Sequence, residues 1–314
     1  MGNLIQQTNY YNPAATLPMK DKSISNDEML IALFLKNQNS PNTRRSYTKA
    51  INLLRDFTNK PLKEISVKDV LEFIDSLEDN EKSTKHNRLS ALSSLYNFGL
   101  KLGYLLYNPF VVVNKPNVSK DKSIDKFLTK EEVSLIWEEL RTKERNAVIG
   151  SLLITMGLRV SELCNIKCSN FFKDSHGNIG IHIVDAKGDK DRDVKVRNDV
   201  MEFIKKYRSS INREFEIPCP NNDDYLLLTR TLNRVNENYI RWIISSTVKK
   251  VGFDKKISPH WYRHTSASMS LQNGCDLAKV TENFGWSSLK TAQRYLHNID
   301  KLKDTSVDYI NIDL

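Results

Sequence analysis

Cysteine is scarce in this chain. There are four, Cys164, Cys168, Cys219 and Cys275, and no two of them form a CxxC pair. No histidine stands at zinc-finger spacing from them, so neither a disulfide scaffold nor a structural zinc site is expected. Cys164 and Cys168 fall four apart on an expected helix, and all four read as free thiols suited to a reducing cytosol. No apolar run reaches the ~18 residues of a membrane span. The N-terminus lacks a basic segment followed by an apolar one, so no leader is expected and the localisation reads as cytoplasmic. A Walker-type glycine loop is missing, and so is a cluster of Asp and Glu able to hold two metal ions. No cofactor and no metal are therefore expected. Acidic residues are in deficit: 38 Asp and Glu face 47 Lys and Arg, for a net charge of +9. Such an excess favours a polyanionic partner, because Lys and Arg set against phosphates release condensed counterions. Taken alone, it more readily describes a solvated basic surface.

A chain of 314 residues is long enough for two domains. Residues 1–22 are polar, with no helical period, and read as a flexible N-terminal arm. Residues 23–110 read as a compact all-α domain of four or so short helices. Its apolar residues recur at helical spacing in Tyr47, Ile51, Leu54 and Phe57, and again in Leu89, Leu92, Leu95, Tyr96 and Leu100. Ser66 to Asp69 has the form of a helix start. Asn108-Pro109 closes this block. Residues 111–126, with Pro116 and a run of Lys, Asp, Ser and Asn, read as a linker.

A second domain is expected over 127–300. Thr129 and Glu132 form a capping-box pattern. The stretch Ala147 to Met156 is apolar all round, which suits a helix at the centre of a core, and Gly157 can end it in the left-handed conformation. Ile179, Ile181 and Ile183 alternate with Gly180 and His182, and a second alternating run spans Asp193 to Arg197. Lys187-Gly188-Asp189-Lys190 joins them as a hairpin with a basic tip. Helices are expected over 198–208, 236–251, 260–273, 277–284 and 288–296. The tail 301–314 is apolar in Val307, Tyr309, Ile310, Ile312 and Leu314. The fold class is mainly α with a small β-sheet.

Within the second domain, Arg159 opens a helix straight after Gly157, with Glu162 three residues on to orient it. On these residues alone the pair reads sooner as a surface helix pair worth a few tenths of a kcal/mol. His260 and Arg263 share one face of a helix that begins at Pro259, and His264 lies within reach of that face. Trp286 offers an indole N–H after Gly285, and Tyr295 a phenol. Arginines, histidines and a lysine converging on a phenol suit attack of tyrosine oxygen on a phosphodiester. A phenol has a pKa of about 10 and needs activation, and two guanidiniums can bind the equatorial oxygens of a phosphorane-like state.

The order Gly157-Leu158-Arg159-x-x-Glu162-Leu163, Lys187 on a hairpin, His260-x-x-Arg263-His264, Gly285-Trp286 and Tyr295 resembles the tyrosine recombinases of the Xer, Cre and lambda-integrase kind. Asn87 to Leu92 also resembles the core-binding domain of Xer-type members. The resemblance implies an all-α SAM-like core-binding domain and a mixed α/β tyrosine-recombinase catalytic domain that close on the duplex as a clamp. It implies that Arg159 and Arg263 grip the scissile phosphate and that Tyr295 forms a 3′-phosphotyrosine bond. His260 would act as general acid/base, Lys187 would protonate the leaving 5′ oxygen, and Glu162 would support Arg159 and His260. Trp286 stands where most members have histidine; it can position but cannot titrate. DNA contacts are expected from Arg44, Arg45, Lys49, Lys85, His86 and Arg88 in the first domain, and from Lys190, Arg192 and Arg241 in the second. The implied partners are double-stranded DNA with specific sites and, on DNA, a homotetramer whose tail 301–314 docks on a neighbour; free protein would be a monomer or weak oligomer. A type IB topoisomerase-like relaxing enzyme shares this chemistry, and a DNA-binding regulator with a decayed site is the rival from another class.

Overall fold

A computed structural model of the protein describes residues 24–117, 126–184, 191–219 and 223–298. The N-terminal arm, much of the linker, the hairpin tip with Lys187 and Lys190, and the tail 301–314 lie outside the described residues. The chain divides into two compact units, 1–119 and 120–314.

The first unit holds α1 (Asp27–Lys36), α2 (Pro41–Thr58), α3 (Val67–Asp75) and α4 (Lys82–Lys101). Local chemistry sets their ends. The Asn26 side chain accepts from the Met29 amide at 2.9 Å and caps α1. Pro41 occupies the first turn of α2, where its missing N–H costs no hydrogen bond. Ser66 and Asp69 complete a reciprocal capping box on α3. The apolar stripes of the four helices meet in a core of Phe34, Leu54, Phe73, Leu92, Leu95 and Tyr96. The buried Tyr96 hydroxyl donates to the Leu62 carbonyl at 3.0 Å, so the core contains no orphaned phenol there.

The second unit is built around α6 (Glu144–Met156), the apolar helix, whose residues from Ala147 to Leu153 are all buried. It packs against α5 (Lys130–Leu140), α7 (Val160–Asn165), α8 (Asn198–Ser210) and α10 (Pro259–Gln272). The Thr129–Glu132 capping box starts α5, and Gly157 ends α6 with φ +58°. A Cβ on Gly157 would run into the Phe284 ring, so both the conformation and the close approach call for glycine.

An antiparallel sheet lies in the order β1 (Phe171–Lys173), β2 (Ile179–Ile183), β3 (Arg192–Lys195), with Ile181 opposite both Phe171 and Val194. β1 is too short for alternation to reveal it. Later come α9 (Glu237–Val251), α11 (Leu277–Asn283), α12 (Leu289–Gln293) and a 3₁₀ turn over Arg294–Asn298. Two expectations are corrected. Cys164 lies in α7 while Cys168 opens a separate 3₁₀ turn, because Ile166 between them is extended. The last expected helix tightens to 3₁₀ geometry at Arg294, and Tyr295 sits on that turn.

Candidate active site

Three arginines from three elements converge on the end of α11. Arg192 on β3 donates through Nε to the Asn283 carbonyl at 2.8 Å. Arg263 on α10 donates through Nη2 to the next carbonyl, Phe284, and through Nη1 to Gly157 O at 2.7 Å. Arg159, at the start of α7, reaches the third, Gly285 O, at 3.3 Å. Carbonyls at a helix C-terminus lack intrahelical partners and carry the negative end of the dipole, so cations suit them. Gly285 has φ +59°, and a Cβ there would stand 2.9 Å from Arg192 Nη1, which explains glycine before Trp286.

Glu162 organises two of these arginines. Its carboxylate accepts from the Arg159 amide at 2.8 Å and from Arg159 Nη1 at 2.7 Å. Arg192 adds a two-pronged contact, Nη1 to Oε1 at 3.1 Å and Nη2 to Oε2 at 2.9 Å. Glu162 is only 4% exposed, Arg263 5% and Arg192 7%. Burial alone would push the Glu162 carboxyl up; the hydrogen bonds and charge of Arg192, the Arg159 amide and the charge of Arg263 outweigh it, so it lies below the usual range. Burial, followed by repulsion from Arg159, brings the Arg263 guanidinium down to about 10, which leaves it charged at neutral pH. Three cations around one carboxylate leave the cluster positive, and so complementary to an anion.

The phenol stands at the edge of this cluster. The Trp286 ring stacks on Tyr295, with centroids 5.2 Å apart and planes at 6°, and the Arg263 guanidinium lies 5.5 Å from the Trp286 ring. Tyr295 is 6% exposed, and its hydroxyl is hydrogen-bonded to His264 Nδ1 at 2.5 Å. Burial raises the phenol pKa, partly offset by the charges of Arg263 and Arg294.

Of the residues expected from sequence, the structure brings Arg159, Glu162, Arg263, His264, Trp286 and Tyr295 into one connected network. His260 is exposed on α10, one turn before His264, with ring centroids 6.3 Å apart. Arg192 is a correction: expected on the DNA-facing hairpin, it is buried and committed to Glu162 and Asn283. Its neighbours Val194 and Val196 are buried too, so the two-residue alternation of β3 already marked position 192 as inward.

In the first unit, Arg44, Arg45 and Lys49 are exposed on the first turns of α2, and Arg44 Nε donates back to Gln38 O at 2.9 Å. Lys85 is half-buried. His86 meets Pro116 O at 3.1 Å and Arg88 meets Asn80 Oδ1 at 3.0 Å, so both also serve their own domain. Arg241 pairs with Glu237 at 2.6 Å along α9. Among the described residues, no group of three metal-capable side chains occurs and no helix is long and apolar enough to cross a membrane.

The chain belongs to the phage integrase family, the tyrosine recombinases of site-specific DNA recombination: the family model described as Phage integrase family matches residues 126–301, and that of the phage integrase N-terminal SAM-like domain matches 27–102. Among its relatives is the tyrosine recombinase XerC of Bacillus licheniformis, 30% identical over 80% of this chain and 83% of the relative. XerC of Staphylococcus carnosus is also 30% identical, over 82% and 87% respectively. Solved structures share the fold. A lambda integrase dimer bound to a COC′ core site aligns at TM-score 0.70 over 90% of this chain and 81% of that one, at 14% identity. A XerH recombinase in a post-cleavage complex with its difH substrate aligns at 0.67 over 81% and 76%, at 22% identity.

Proposed function

We propose that this chain cuts and rejoins DNA at specific sites through a 3′-phosphotyrosine bond to Tyr295. The phenolic oxygen attacks phosphorus as the bond to the 5′ oxygen breaks, and Lys187 supplies the proton that the departing oxygen needs. Arg159 and Arg263 hold the non-bridging oxygens, where negative charge gathers in the transition state. His260 serves as acid/base near the phosphate. Glu162 keeps Arg159 in place, and Trp286 positions the phenol. The phosphotyrosine bond conserves the energy of the broken phosphodiester, so rejoining to another strand needs neither ATP nor a metal. Arg44, Arg45, Lys49, Lys85, His86, Arg88, Lys190 and Arg241 supply phosphate and groove contacts.

On this reading a homotetramer, two protomers to a site, exchanges strands through a Holliday junction in the cytoplasm during integration, excision or resolution. The free protein is a monomer or weak oligomer, organised as arm 1–22, core-binding domain 23–110, linker 111–126, catalytic domain 127–300 and tail 301–314.

The observation that carries the reading is the placement of the Tyr295 phenol against Trp286 at the edge of a cluster of three arginines. A regulator with a decayed site would have no use for so connected a network. Nicked suicide duplexes carrying candidate sites from the host locus test it. Wild type should form an SDS-stable protein–DNA adduct and Tyr295→Phe none; an adduct formed by the Phe variant would overturn the assignment.

A further inference from the structure

His264 touches the phenol of Tyr295. Its Nδ1 lies 2.5 Å from the Tyr295 hydroxyl, and the Tyr295 ring stacks on Trp286. We infer that His264 is the general base of strand cleavage: its neutral imidazole takes the phenolic proton at Nδ1 as the Tyr295 oxygen bonds to phosphorus. This rests on Tyr295 being the nucleophile, as proposed above.

The role rests on that contact. Burial, then the charges of His260, Arg263 and Lys126, bring His264 down to about 4, which leaves the ring uncharged at neutral pH but also makes it a weaker base, so the transfer must run in concert with attack on phosphorus. Among the described residues, the charged and titratable groups that act on the pair are His260 and Arg263 on α10, Lys126 ahead of α5, and Arg294 beside Tyr295 on the final turn. Burial also raises the phenol pKa, so ionisation in advance of attack is disfavoured and a proton acceptor in contact is needed. The step balances. The O–H bond of Tyr295 breaks with its proton moving to Nδ1, the oxygen–phosphorus bond forms, and the phosphorus–O5′ bond breaks with its electron pair leaving on O5′. That oxygen takes a separate proton from the acid. On resealing, the imidazolium returns its proton to the phenolate that departs.

His264→Asn keeps a polar group near the Nδ1 position but cannot take the proton. At pH 7 it should slow adduct formation by about 10²–10⁴-fold while leaving site binding in place. Its rate should climb about tenfold per pH unit, since the phenol must then ionise unaided, whereas wild type stays flat between about pH 6 and 9. A duplex with a 5′-bridging sulfur at the scissile phosphate, whose leaving group needs no proton, should rescue Lys187→Ala but not His264→Asn.

A flat profile for His264→Asn at any offset, or rescue by the sulfur substrate, would overturn the inference. So would a wild-type rate in that variant while Tyr295→Phe remains inert, and this last outcome would leave the nucleophile assignment standing. A readout on folded wild type needs no His264 variant. The ¹⁵N resonance of His264 Nδ1 should be that of an unprotonated nitrogen and should move in Tyr295→Phe, and a protonated Nδ1 in the neutral ring would equally sink the idea.

Discussion

The cations at the start of α2 and those around Glu162 are used in opposite ways. In the first group, Arg44, Arg45 and Lys49 are exposed on one helix start, and the one bond described there runs from Arg44 to its own domain's backbone. In the second group, Arg192 and Arg263 are buried and fixed at both ends of their guanidiniums, to a carboxylate or to carbonyl oxygens. An exposed cation keeps its hydration and can follow a polyanion, so its contribution to binding depends on number and on salt. A guanidinium withdrawn from water gives up several kcal/mol of hydration and is retained only where partners replace it. If DNA is bound as proposed, positive charge at the start of α2 should answer to counting, and that around Glu162 to geometry.

Removing a buried arginine is the strongest way to break that contrast. Arg192→Ala strips Glu162 of its two-pronged partner and leaves its carboxylate inside the fold with less compensation. Loss of one member of a buried ion pair costs about 3–5 kcal/mol. The urea midpoint should fall accordingly with an unchanged slope, and Arg192→Lys should recover only part of it, because an ammonium cannot reproduce the fork. A midpoint equal to that of wild type would show that this arginine is no more structural than those on α2.

Arg263→Ala separates geometry from affinity. In the proposed role its guanidinium acts on charge that develops during cleavage, so adduct formation at saturating DNA should fall by about 10²–10³-fold while the site is still bound. Abolished binding with a normal rate at saturation would place Arg263 in the counting class and contradict its proposed role.

Much of the fold is readable from the chain because helix ends are written locally. The capping boxes at Ser66 and Thr129 and the left-handed Gly157 need only neighbours a few residues away. The residues proposed for the site form an ordered set in the sequence, Arg159 to Tyr295, since each residue type suits one part of phosphodiester chemistry. What escapes is tertiary. Nothing in the sequence says that the carbonyls of 283, 284 and 285 would each meet an arginine from a different element. Nor does helical spacing say that His264 would reach the phenol, because that contact depends on where the 3₁₀ turn places Tyr295. Arg192 escapes for another reason. It adjoins the basic run of the hairpin tip, which masks the alternation of β3 that points its side chain inward.

The smallest effects are expected in the first domain, and they test counting directly. Arg44→Ala and Arg45→Ala should each cost less than ~1 kcal/mol of affinity and reduce the slope of log K against log salt by about 0.9 for every phosphate left without its cation. Thermal stability should stay within about 0.5 kcal/mol of wild type, as for other surface substitutions, and the cleavage rate at saturating DNA should not change. The two slope changes should add in the double variant, because solvated cations neutralise separate phosphates. A variant that slows cleavage at saturation while leaving the salt slope intact would mean that α2 shapes the reacting phosphate rather than supplying charge, and the division drawn between the two groups of cations would fail.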